Sequence, residues 1–288
     1  MTNMKFNSSQ SAKRKKQVIN VLLTILAFTV VLLILFPILW TLTSVFKGKT
    51  ELFQVPNTIF PKDPTWDNFK KIFTLRDFNF VTSLLSTFAV SATAVVLALA
   101  VNMLAAYAFA RLEFRGKNIL FSIVLATMFI PGITILLSSI KVVEGLGMLD
   151  TFWVLVIPGV ASGYAVFFFR QFFMSIPQSI EEAALIDGAN HFKIFMKIYI
   201  PMSVTPIIIL GASTFMGYWN SYLWPTLTII DNTALKQVMQ VIQVLSTRYK
   251  GEYGIVIAAT VISLILPLTM FGIFQKKIVE GVAITGLK

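Results

Sequence analysis

Apolar residues fall into six long runs along the chain, and the segments between and outside the runs carry all of the Asp, Glu, Lys and Arg residues. The runs are Val18–Phe46, Val81–Ala110, Ile119–Ile140, Phe152–Phe169, Ile200–Ile230 and Ile255–Phe274. Each run can supply the roughly 20 residues, about 30 Å of helix, that the hydrocarbon core of a bilayer requires. The pattern therefore predicts an all-α integral membrane protein with six transmembrane helices.

These runs also predict how the chain is organised. We expect a cytoplasmic N-terminal tail at 1–17, a first transmembrane helix at 18–46, an external loop at 47–80, a core transmembrane domain at 81–275 and a cytoplasmic C-terminal tail at 276–288. A basic tetrapeptide, Lys13–Lys16, precedes the first run, as it would in a signal peptide. That run is too long for a signal peptide and lacks a small-x-small cleavage site, so we expect a retained anchor.

Composition supports the membrane assignment. The chain is 56% hydrophobic and 13% charged, whereas an average soluble domain is about 25% charged. The absence of Cys and the presence of a single His disfavour thiol chemistry and a protein-bound metal. A net charge of +11 could suggest nucleic acid, but the basic residues flank apolar runs, so the membrane surface is the better partner.

The distribution of basic residues predicts the orientation of the chain. With both termini inside, the inner segments hold 14 of the 24 Lys and Arg residues, and several of these lie next to a run. Short cytoplasmic loops are enriched in basic residues. We therefore expect both termini in the cytoplasm, together with the segment 178–199.

The composition of the apolar runs disfavours ion-coupled transport, although backbone carbonyl groups can coordinate Na⁺ without carboxylates. The runs hold no ionisable Asp, Glu, Lys or Arg, although proton- and ion-coupled carriers usually keep such groups at membrane depth. The tripeptide Gly48–Thr50 resembles the end of a phosphate-binding loop, but Thr43 stands where that motif requires its first Gly. We therefore expect no nucleotide hydrolysis by this chain and no bound cofactor.

A charged, amphipathic element at 178–199 lies between the fourth and fifth apolar runs. Its sequence is "QSIEEAALIDGANHFKIFMKIY". Ser179 and Glu182 have the spacing of a capping box, and Glu181 with Glu182 places negative charge in the first turn of a helix. These features predict that a helix begins at this point.

Gly188 lies within the helical pattern, where Gly lowers the stability of a helix by about 1 kcal/mol relative to Ala. We expect one helix to stop near Asp187 in a left-handed cap and a second to start at Asn190 and run straight into the fifth span. One apolar face is predicted to hold Leu185, Gly188, Ala189, Phe192, Phe195, Met196 and Tyr199. An interfacial helix on lipid headgroups is an alternative, but the acidic first half favours a protein partner.

This element resembles the EAA loop of permease subunits in ATP-binding-cassette importers, whose pattern is EAA, three residues, Gly, nine residues and I-x-L-P. The tripeptide Glu182–Ala184, Gly188 and Ile198–Pro201 match that pattern, with Ile200 in the place of Leu. The "DGA" at Asp187–Ala189 is similar to the maltose-type, carbohydrate-importing branch. Weaker similarities to that branch lie in "PTWDNFKKIF", "YWNSYLWP" and the ending "QKKIVEGVAITGLK".

The resemblance implies a cytoplasmic coupling helix that docks on a separate ATPase. The residues it implicates are Glu181, Glu182, Ala183, Ala184, Asp187, Gly188, Ala189 and Phe192. It also implies a bacterial or archaeal plasma membrane importer with a second related permease, an ATPase dimer that binds ATP and Mg²⁺, and an extracytoplasmic solute-binding protein. Alternatives are an ABC permease for a non-sugar solute, a stand-alone carrier or channel, and a non-transporting anchoring protein.

Two further sets of residues are candidates for function. Aromatic and amide side chains suit a sugar pathway, and the candidates are Asn102, Tyr218, Trp219, Asn220 and Trp224. In a continuous helix Asn220 and Trp224 would share a face, although Trp224 also suits an interfacial aromatic belt. Gly281 and Gly286 in the tail are candidates for a second ATPase contact, with disorder as the alternative.

We read Gly159 and Gly163 as a helix-packing face and Phe167–Phe173 as lipid-facing bulk.

Overall fold

The computed structural model describes residues 3–56, 58–75 and 79–285, with side chains from residue 15 to residue 277 within those ranges. Every regular element in these ranges is helical, which confirms the all-α fold class. The chain divides into two units, one formed by Met1–Ile72 with Tyr249–Val261 and the other by Phe73–Arg248 with Ile262–Lys288.

The described residues up to Ser175 form eight α-helices. They are α1 (Asn3–Ser44), α2 (Lys49–Leu52), α3 (Asp67–Thr74), α4 (Phe80–Arg111), α5 (Lys117–Thr127), α6 (Gly132–Gly145), α7 (Phe152–Val156) and α8 (Gly163–Ser175). The second half continues with α9 (Gln178–Ile186), α10 (His191–Ile194), α11 (Ile200–Met202), α12 (Val204–Trp219), α13 (Leu223–Thr228), α14 (Val238–Arg248) and α15 (Tyr253–Thr285). Two short 3₁₀ turns, Ile157–Gly159 and Thr233–Leu235, and one π-helical turn, Phe195–Tyr199, complete the set.

Three single helices of the described chain are long and apolar enough to cross a membrane. They include the segments Lys15–Ser44, Phe80–Arg111 and Tyr253–Lys277. Three bent helix pairs pass the same test, which gives up to six spans if each pair is one span. The six apolar runs of the sequence correspond to these three helices and three pairs.

The spans formed by the third and fourth runs are bent and not straight. Helices α5 and α6 meet at an angle of 104°, and the helix of α7 with its 3₁₀ turn meets α8 at 50°. A proline lies at each break: Pro131 precedes α6 and Pro158 lies in the 3₁₀ turn. Proline lacks the N–H that a continuing helix would use, so both runs keep their length and apolarity but lose their straightness.

Helix α4 is the centre of the second unit and packs against α8 and α12. One buried cluster joins Phe169 and Phe173 of α8, both 0% exposed, to Tyr107 of α4. The two phenylalanine rings stack with centroids 5.9 Å apart. Phe167–Phe173 is therefore partly core, and its interpretation as lipid-facing bulk was wrong because α8 turns one side of this run toward α4.

In the first unit, the turn that follows α1 is fixed by buried polar contacts. Asn68 donates hydrogen bonds through Nδ2 to the carbonyl oxygens of Val45 (2.7 Å) and Lys47 (3.0 Å). Glu51 is buried and accepts a hydrogen bond of 2.8 Å from the backbone N–H of Lys62. The described part of the predicted external loop is thus an ordered structure with its own polar interior.

Asp150 organises the loop between α13 and α14 within the second unit. Its backbone has φ of 56°, in the left-handed region that Asp tolerates better than most residues. Its Oδ1 accepts backbone hydrogen bonds from Ile230 (2.7 Å), Asp231 (3.0 Å) and Asn232 (3.1 Å). These hydrogen bonds, that from Asn232 first, lower the pKa of the Asp150 carboxyl because they stabilise its charged form.

The lowered pKa predicts how an Asp150→Asn variant responds to pH. A folded-state pKa below the unfolded value of about 3.9 means that the carboxylate stabilises the fold above that pH. This stabilisation is lost as the pH falls through the lowered folded-state pKa. We expect the variant to have a lower midpoint of thermal unfolding than the parent at pH 7, with the difference shrinking below about pH 4. The exposed Asp231→Asn is the control, and an equal difference at both pH values would contradict the prediction.

Candidate functional site

The element at 178–199 consists of two short helices joined at Gly188, as predicted. Helix α9 ends at Ile186, and Gly188 has φ of +78°. Asn190 is the N-cap of α10, and its side chain accepts a hydrogen bond of 2.8 Å from the backbone N–H of Lys193. The left-handed break and the cap of the second helix are therefore confirmed.

The predicted capping box at the start of the element was wrong. Pro177 is the N-cap of α9, no side chain caps this end, and Ser179 lies inside the first turn. Pro177 has φ of −57° and ψ of 132°, the non-helical backbone typical of an N-cap residue, so α9 begins two residues earlier than the Ser179 signal implies. Glu181 remains in the first turn, as predicted.

A buried carboxylate, that of Glu181, fastens α9 to the end of α4 and to the π-helical turn. Tyr107 donates a hydrogen bond to Glu181 Oε1 at 3.1 Å, and Tyr199 donates one to Oε2 at 2.8 Å. Arg111 Nε lies 3.6 Å from Oε2, and His191 Nδ1 lies 3.7 Å from Oε1. The side chains of Glu181 and Arg111 are 9% and 10% exposed, so the ion pair is largely removed from water. We call these five residues the Glu181 cluster.

Arg111 connects the Glu181 cluster to a third helix. Its guanidinium donates hydrogen bonds to the carbonyl oxygens of Phe173 (2.7 Å) and Ile176, at the end of α8. The same group lies over the ring of Tyr199, 5.4 Å from the centroid. A positive charge at a helix C-terminus stabilises its free carbonyl groups. One buried arginine thus joins α4, α8 and α9.

The other side of the element is open to its surroundings. The exposed residues include Glu182, Ala183, Leu185, Ile186, Asp187, Gly188, His191 and Phe192. Ile186 and Phe192 are 87% and 65% exposed, which is unusual for large apolar side chains outside the spans. Ala184 and Ala189 are half-buried and pack against the core cluster that contains Tyr107. Some residues of the EAA-like pattern are therefore exposed, and others pack against the core cluster.

The predicted single apolar face of this element was also wrong. Phe195 and Tyr199 are buried, but Leu185, Phe192 and Met196 are exposed. A single helical periodicity does not apply, because the break at Gly188 rotates the second helix relative to the first and a π-helical turn follows at Phe195–Tyr199.

The connection to the fifth span bends instead of running straight. The segment His191–Met202 meets Val204–Trp219 at 80°. Ser203, at the bend, donates a hydrogen bond of 2.6 Å to the carbonyl oxygen of Tyr199. The prediction that α10 continues directly into the span was therefore wrong, because the Pro201 turn ends before α12 begins.

A cavity of about 430 Å³ lies within the second unit, among residues of α4, α6, α12, α13 and the α7–α8 break. Tyr218 and Trp224 line it, whereas the other three pathway candidates, Asn102, Trp219 and Asn220, do not. Tyr218 Oη donates a hydrogen bond of 2.8 Å to the carbonyl oxygen of Val156, and Trp224 Nε1 donates one of 2.9 Å to that of Val154. These contacts fix both rings against α7.

Asn220 and Trp224 do not share a helical face, contrary to the prediction. Helix α12 ends at Trp219, Asn220 is an exposed C-cap residue, and α13 starts only at Leu223. Trp219 is 3% exposed and stacks on Phe215 with centroids 5.6 Å apart. The polar run from Asn220 to Tyr222 breaks the fifth span, so a continuous helical periodicity cannot be carried across it.

The side chain of Asn102 is buried beside the break between α7 and α8. It is 1% exposed, and its Nδ2 donates hydrogen bonds to the carbonyl oxygens of Ala98 (2.6 Å) and Val160 (2.8 Å). Its Oδ1 accepts a hydrogen bond of 2.9 Å from the backbone N–H of Ser162. Asn102 thus satisfies the backbone groups that the break between α7 and α8 leaves without helical partners.

Gly159 and Gly163 allow close packing, as predicted, but they lie on opposite sides of the break and not on one helix face. A Cβ at Gly163 would lie 2.7 Å from the carbonyl oxygen of Val124. A Cβ at Gly159 would overlap Tyr218 Oη. Gly159 is therefore required for the hydrogen bond that orients the Tyr218 ring in the cavity wall.

A Gly159→Ala variant should displace Tyr218 and lose its hydrogen bond to Val156. We expect the free energy of unfolding to fall by about 1–3 kcal/mol, because the added methyl group overpacks the site. Gly217→Ala is the matched control, since Gly217 lines the same cavity and no atom lies within 4 Å of a Cβ built on its backbone. Thermal unfolding of both purified variants checks this. Equal unfolding midpoints would contradict the proposed packing constraint.

The C-terminal candidates are only partly described. Helix α15 extends to Thr285 and therefore includes Gly281, beyond the predicted end of the sixth span. Gly286 lies outside the described residues. The proposed contact between the tail and an ATPase stays a prediction.

Several residues of the site could not be identified from the sequence. Arg111 is one of the basic residues beside an apolar run and Tyr107 lies within that run, and neither position indicates a functional site. Both lie one helical turn apart at the end of α4, facing Glu181, a juxtaposition that depends on the packing of α4 against α9. Gln237, in the cavity wall, gave no sequence signal at all.

Comparison with known proteins places the chain among transport permeases. Residues 102–281 match the family described as "Binding-protein-dependent transport system inner membrane component". The sn-glycerol-3-phosphate transport system permease protein UgpE of Yersinia enterocolitica is 34% identical over 87% of this chain and 91% of its own length. The arabinooligosaccharides transport system permease protein AraQ of Halalkalibacterium halodurans is 29% identical over 96% of this chain and 99% of its own.

Solved structures contain a similar fold. A chain of a bacterial ABC transporter involved in the import of the acidic polysaccharide alginate superposes with a TM-score of 0.81. The match covers 91% of the present chain and 97% of that one, at 22% sequence identity. The present chain therefore shares its fold with a chain of that transporter.

Proposed function

Because the chain belongs to the family of binding-protein-dependent transport system inner membrane components, we propose that it is one permease subunit of an ATP-binding-cassette importer for a sugar or oligosaccharide. In this proposal it forms half of the translocation pathway. It is a transporter component and not an enzyme, and ATP hydrolysis takes place on a partner.

One observation carries the proposal: the 178–199 element is exposed on one side and anchored by a buried ion pair on the other. The exposed side carries Glu182, Gly188 and Phe192, which suits docking in a cleft of an ATPase. The anchored side holds Glu181 against Tyr107 and Arg111. A surface that must transmit movement needs both properties, because a docked helix with a loose attachment would move alone.

The geometry supports a specific route for that movement. The bend of 80° at Ser203 separates the element from the axis of α12. The Glu181 cluster instead connects α9 to α4 and, through Arg111, to α8. A displacement of the element would therefore reach the spans first through the ends of α4 and α8. ATP-driven closure of the ATPase would supply the displacement, since a shift between two states requires a partner that binds them with different free energies.

The cargo is proposed from chemistry shared by the relatives and the cavity. The relatives are named for glycerol-3-phosphate and arabinooligosaccharides, and the solved transporter is involved in the import of alginate. All three solutes carry two or more hydroxyl groups. The cavity wall offers hydroxyls, an amide and two aromatic rings, which are groups that bind such solutes.

The complete importer would contain a second related permease, an ATPase dimer and an extracytoplasmic solute-binding protein. ATP and Mg²⁺ would bind to the ATPase, and this chain would bind no cofactor. Both termini and the 178–199 element would lie in the cytoplasm, in agreement with the distribution of Lys and Arg along the sequence.

Reconstitution with and without partners tests this function. The chain is purified with its native associates, the associates are identified by mass spectrometry, and both the complex and the isolated chain are sealed into vesicles. We expect ATP-dependent sugar uptake by the complex and none by the isolated chain. Uphill uptake by the isolated chain would establish a secondary carrier instead, and a purified complex without an ATPase would contradict the importer assignment.

A further inference from the structure

Arg170 of α8 contacts two other helices near their ends. Its Nε donates a hydrogen bond of 3.1 Å to the carbonyl oxygen of Phe109 in α4. Its guanidinium lies over the ring of Phe121 in α5, 4.2 Å from the centroid, which is a favourable cation–π distance. The ring of Phe109 lies 5.4 Å from that of Phe121 and 5.9 Å from that of Phe114 in the α4–α5 loop. The orientation of the guanidinium is therefore fixed by a hydrogen bond on one edge and an aromatic ring on one face.

The outer edge of the same guanidinium is open. No described residue accepts a hydrogen bond from Nη1 or Nη2 of Arg170, and both atoms are accessible. These two nitrogens carry most of the N–H donors of an arginine. An arginine held in one plane with free Nη groups can bind two oxygens of a phosphate.

The charge beside Arg170 is positive. Arg115, in the α4–α5 loop, is exposed. Glu113 is the one acidic residue of segment 111–118, and its Oε1 lies 2.9 Å from Nζ of Lys117. Because that carboxylate is paired within the loop, Arg115 and Arg170 carry charges that no acidic side chain of the described residues neutralises.

A groove of about 410 Å³ follows the exposed side of α5. It is lined by Asn118, Ile119, Ser122, Ile123 and Ala126, which recur at about one helical turn. The groove begins in the first turn of α5, directly after the basic loop, and continues into a bent apolar span. Its lining is mostly apolar or small, so an acyl chain fits it better than a hydrated ligand does.

We propose that this surface binds an anionic phospholipid, with the phosphate on Arg115 and Arg170 and an acyl chain in the groove along α5. A soluble anion has no chain to fill the groove, and a zwitterionic headgroup brings its own cation, so an anionic lipid matches both parts of the site. The bound lipid would join the ends of α4, α5 and α8, beside the helices that Arg111 connects. The inference rests on the proposed function only for the leaflet, which would be the cytoplasmic one.

Native mass spectrometry tests the site on the chain purified with its native associates. The sample is incubated with equal amounts of phosphatidylglycerol and phosphatidylcholine that carry the same acyl chains. We expect the parent to retain at least about fivefold more phosphatidylglycerol, because only this lipid has an uncompensated phosphate. This ratio should fall at least about threefold in Arg115→Gln and in Arg170→Gln. Lys141→Gln, which removes an exposed positive charge of α6 outside the site, is the matched control and should keep the parental ratio.

Two further measurements separate the parts of the site. Arg115 makes no contact with a described side chain, so Arg115→Gln should unfold at the parental temperature even where Arg170→Gln is less stable. Ala126→Trp, at an exposed position, fills the groove and leaves both arginines in place. It should lower the retention of phosphatidylglycerol, and excess inorganic phosphate should not displace the lipid from the parent.

The results that would overturn the inference are distinct from failure of the importer. Equal retention of the two lipids by the parent would show that no anionic lipid site exists. A parental ratio in the double variant of Arg115→Gln and Arg170→Gln would remove these residues from the site. Displacement by inorganic phosphate, together with parental retention in Ala126→Trp, would show a phosphate site without an acyl groove. None of these results depends on solute uptake, which tests the proposed function separately.

Discussion

Replacing Glu181 by alanine is expected to lower the free energy of unfolding by about 3–5 kcal/mol, the usual cost of removing one partner of a buried ion pair. Arg111, at 10% side-chain exposure, would be left as a buried charge, and the hydroxyls of Tyr107 and Tyr199 would lose their acceptor. ATP-dependent uptake should fall at least tenfold, because α9 would no longer be held to α4. The measurements are the thermal unfolding midpoint of the purified chain and uptake by the reconstituted complex.

The neighbouring glutamate provides the control for this experiment. Glu182 is exposed and stands one residue from Glu181 on the same helix, so Glu182→Ala should unfold at the parental temperature. Glu181→Gln keeps the shape and one acceptor oxygen and should fall between the parent and Glu181→Ala in stability. An unfolding midpoint of Glu181→Ala equal to that of Glu182→Ala would show that the Glu181 cluster does not anchor the element.

Replacing Gly188 by proline should abolish uptake while the chain remains inserted and folded. Gly188 has φ of +78°, and proline is restricted to about −65°, so the break between α9 and α10 cannot form in this variant. The exposed side of the element would then lose its shape. We expect the ATPase to dissociate from the variant or to hydrolyse ATP without transport. Co-purification of the ATPase and ATP hydrolysis per solute transported are the two measurements.

A second substitution at the same position distinguishes backbone geometry from bulk. No atom lies within 4 Å of a Cβ built on Gly188, so a side chain has room, and only the backbone conformation is restrictive. Asn tolerates the left-handed region better than other non-glycine residues. Gly188→Asn should therefore retain most of the uptake. Equal losses in Gly188→Asn and Gly188→Pro would show that the partner requires the absence of a side chain, and normal uptake in both would remove the coupling role.

The anchoring of the element also changes where coupling mutations should be sought. Because the chain bends by 80° at Ser203, a displacement of the 178–199 element would not be transmitted directly along the axis of the fifth span. Arg111, which joins α4, α8 and α9, occupies the junction through which movement would pass. Residues far from the EAA-like pattern in the sequence are thus part of the proposed coupling machinery.

Several features of the fold could be predicted from short stretches of the sequence. The six apolar runs indicated the spans because a bilayer demands length and apolarity, and both are properties of a contiguous segment. Gly188 and Asn190 indicated the break in the element because left-handed caps and N-caps depend on one or two residues. Pro131 and Pro158 were visible in the sequence as well, but their presence did not state how far each span would bend.

Contacts between distant residues were decided by the tertiary structure alone. Glu181 and Glu182 are adjacent and chemically identical, yet one is buried against Arg111, 70 positions earlier in the chain, and the other is exposed. Similarly, Gln237 reaches the cavity only because α14 packs against α4. Burial and pairing arise from the packing of helices that are far apart in the chain, and the spacing of residues within one helix carries no record of that packing.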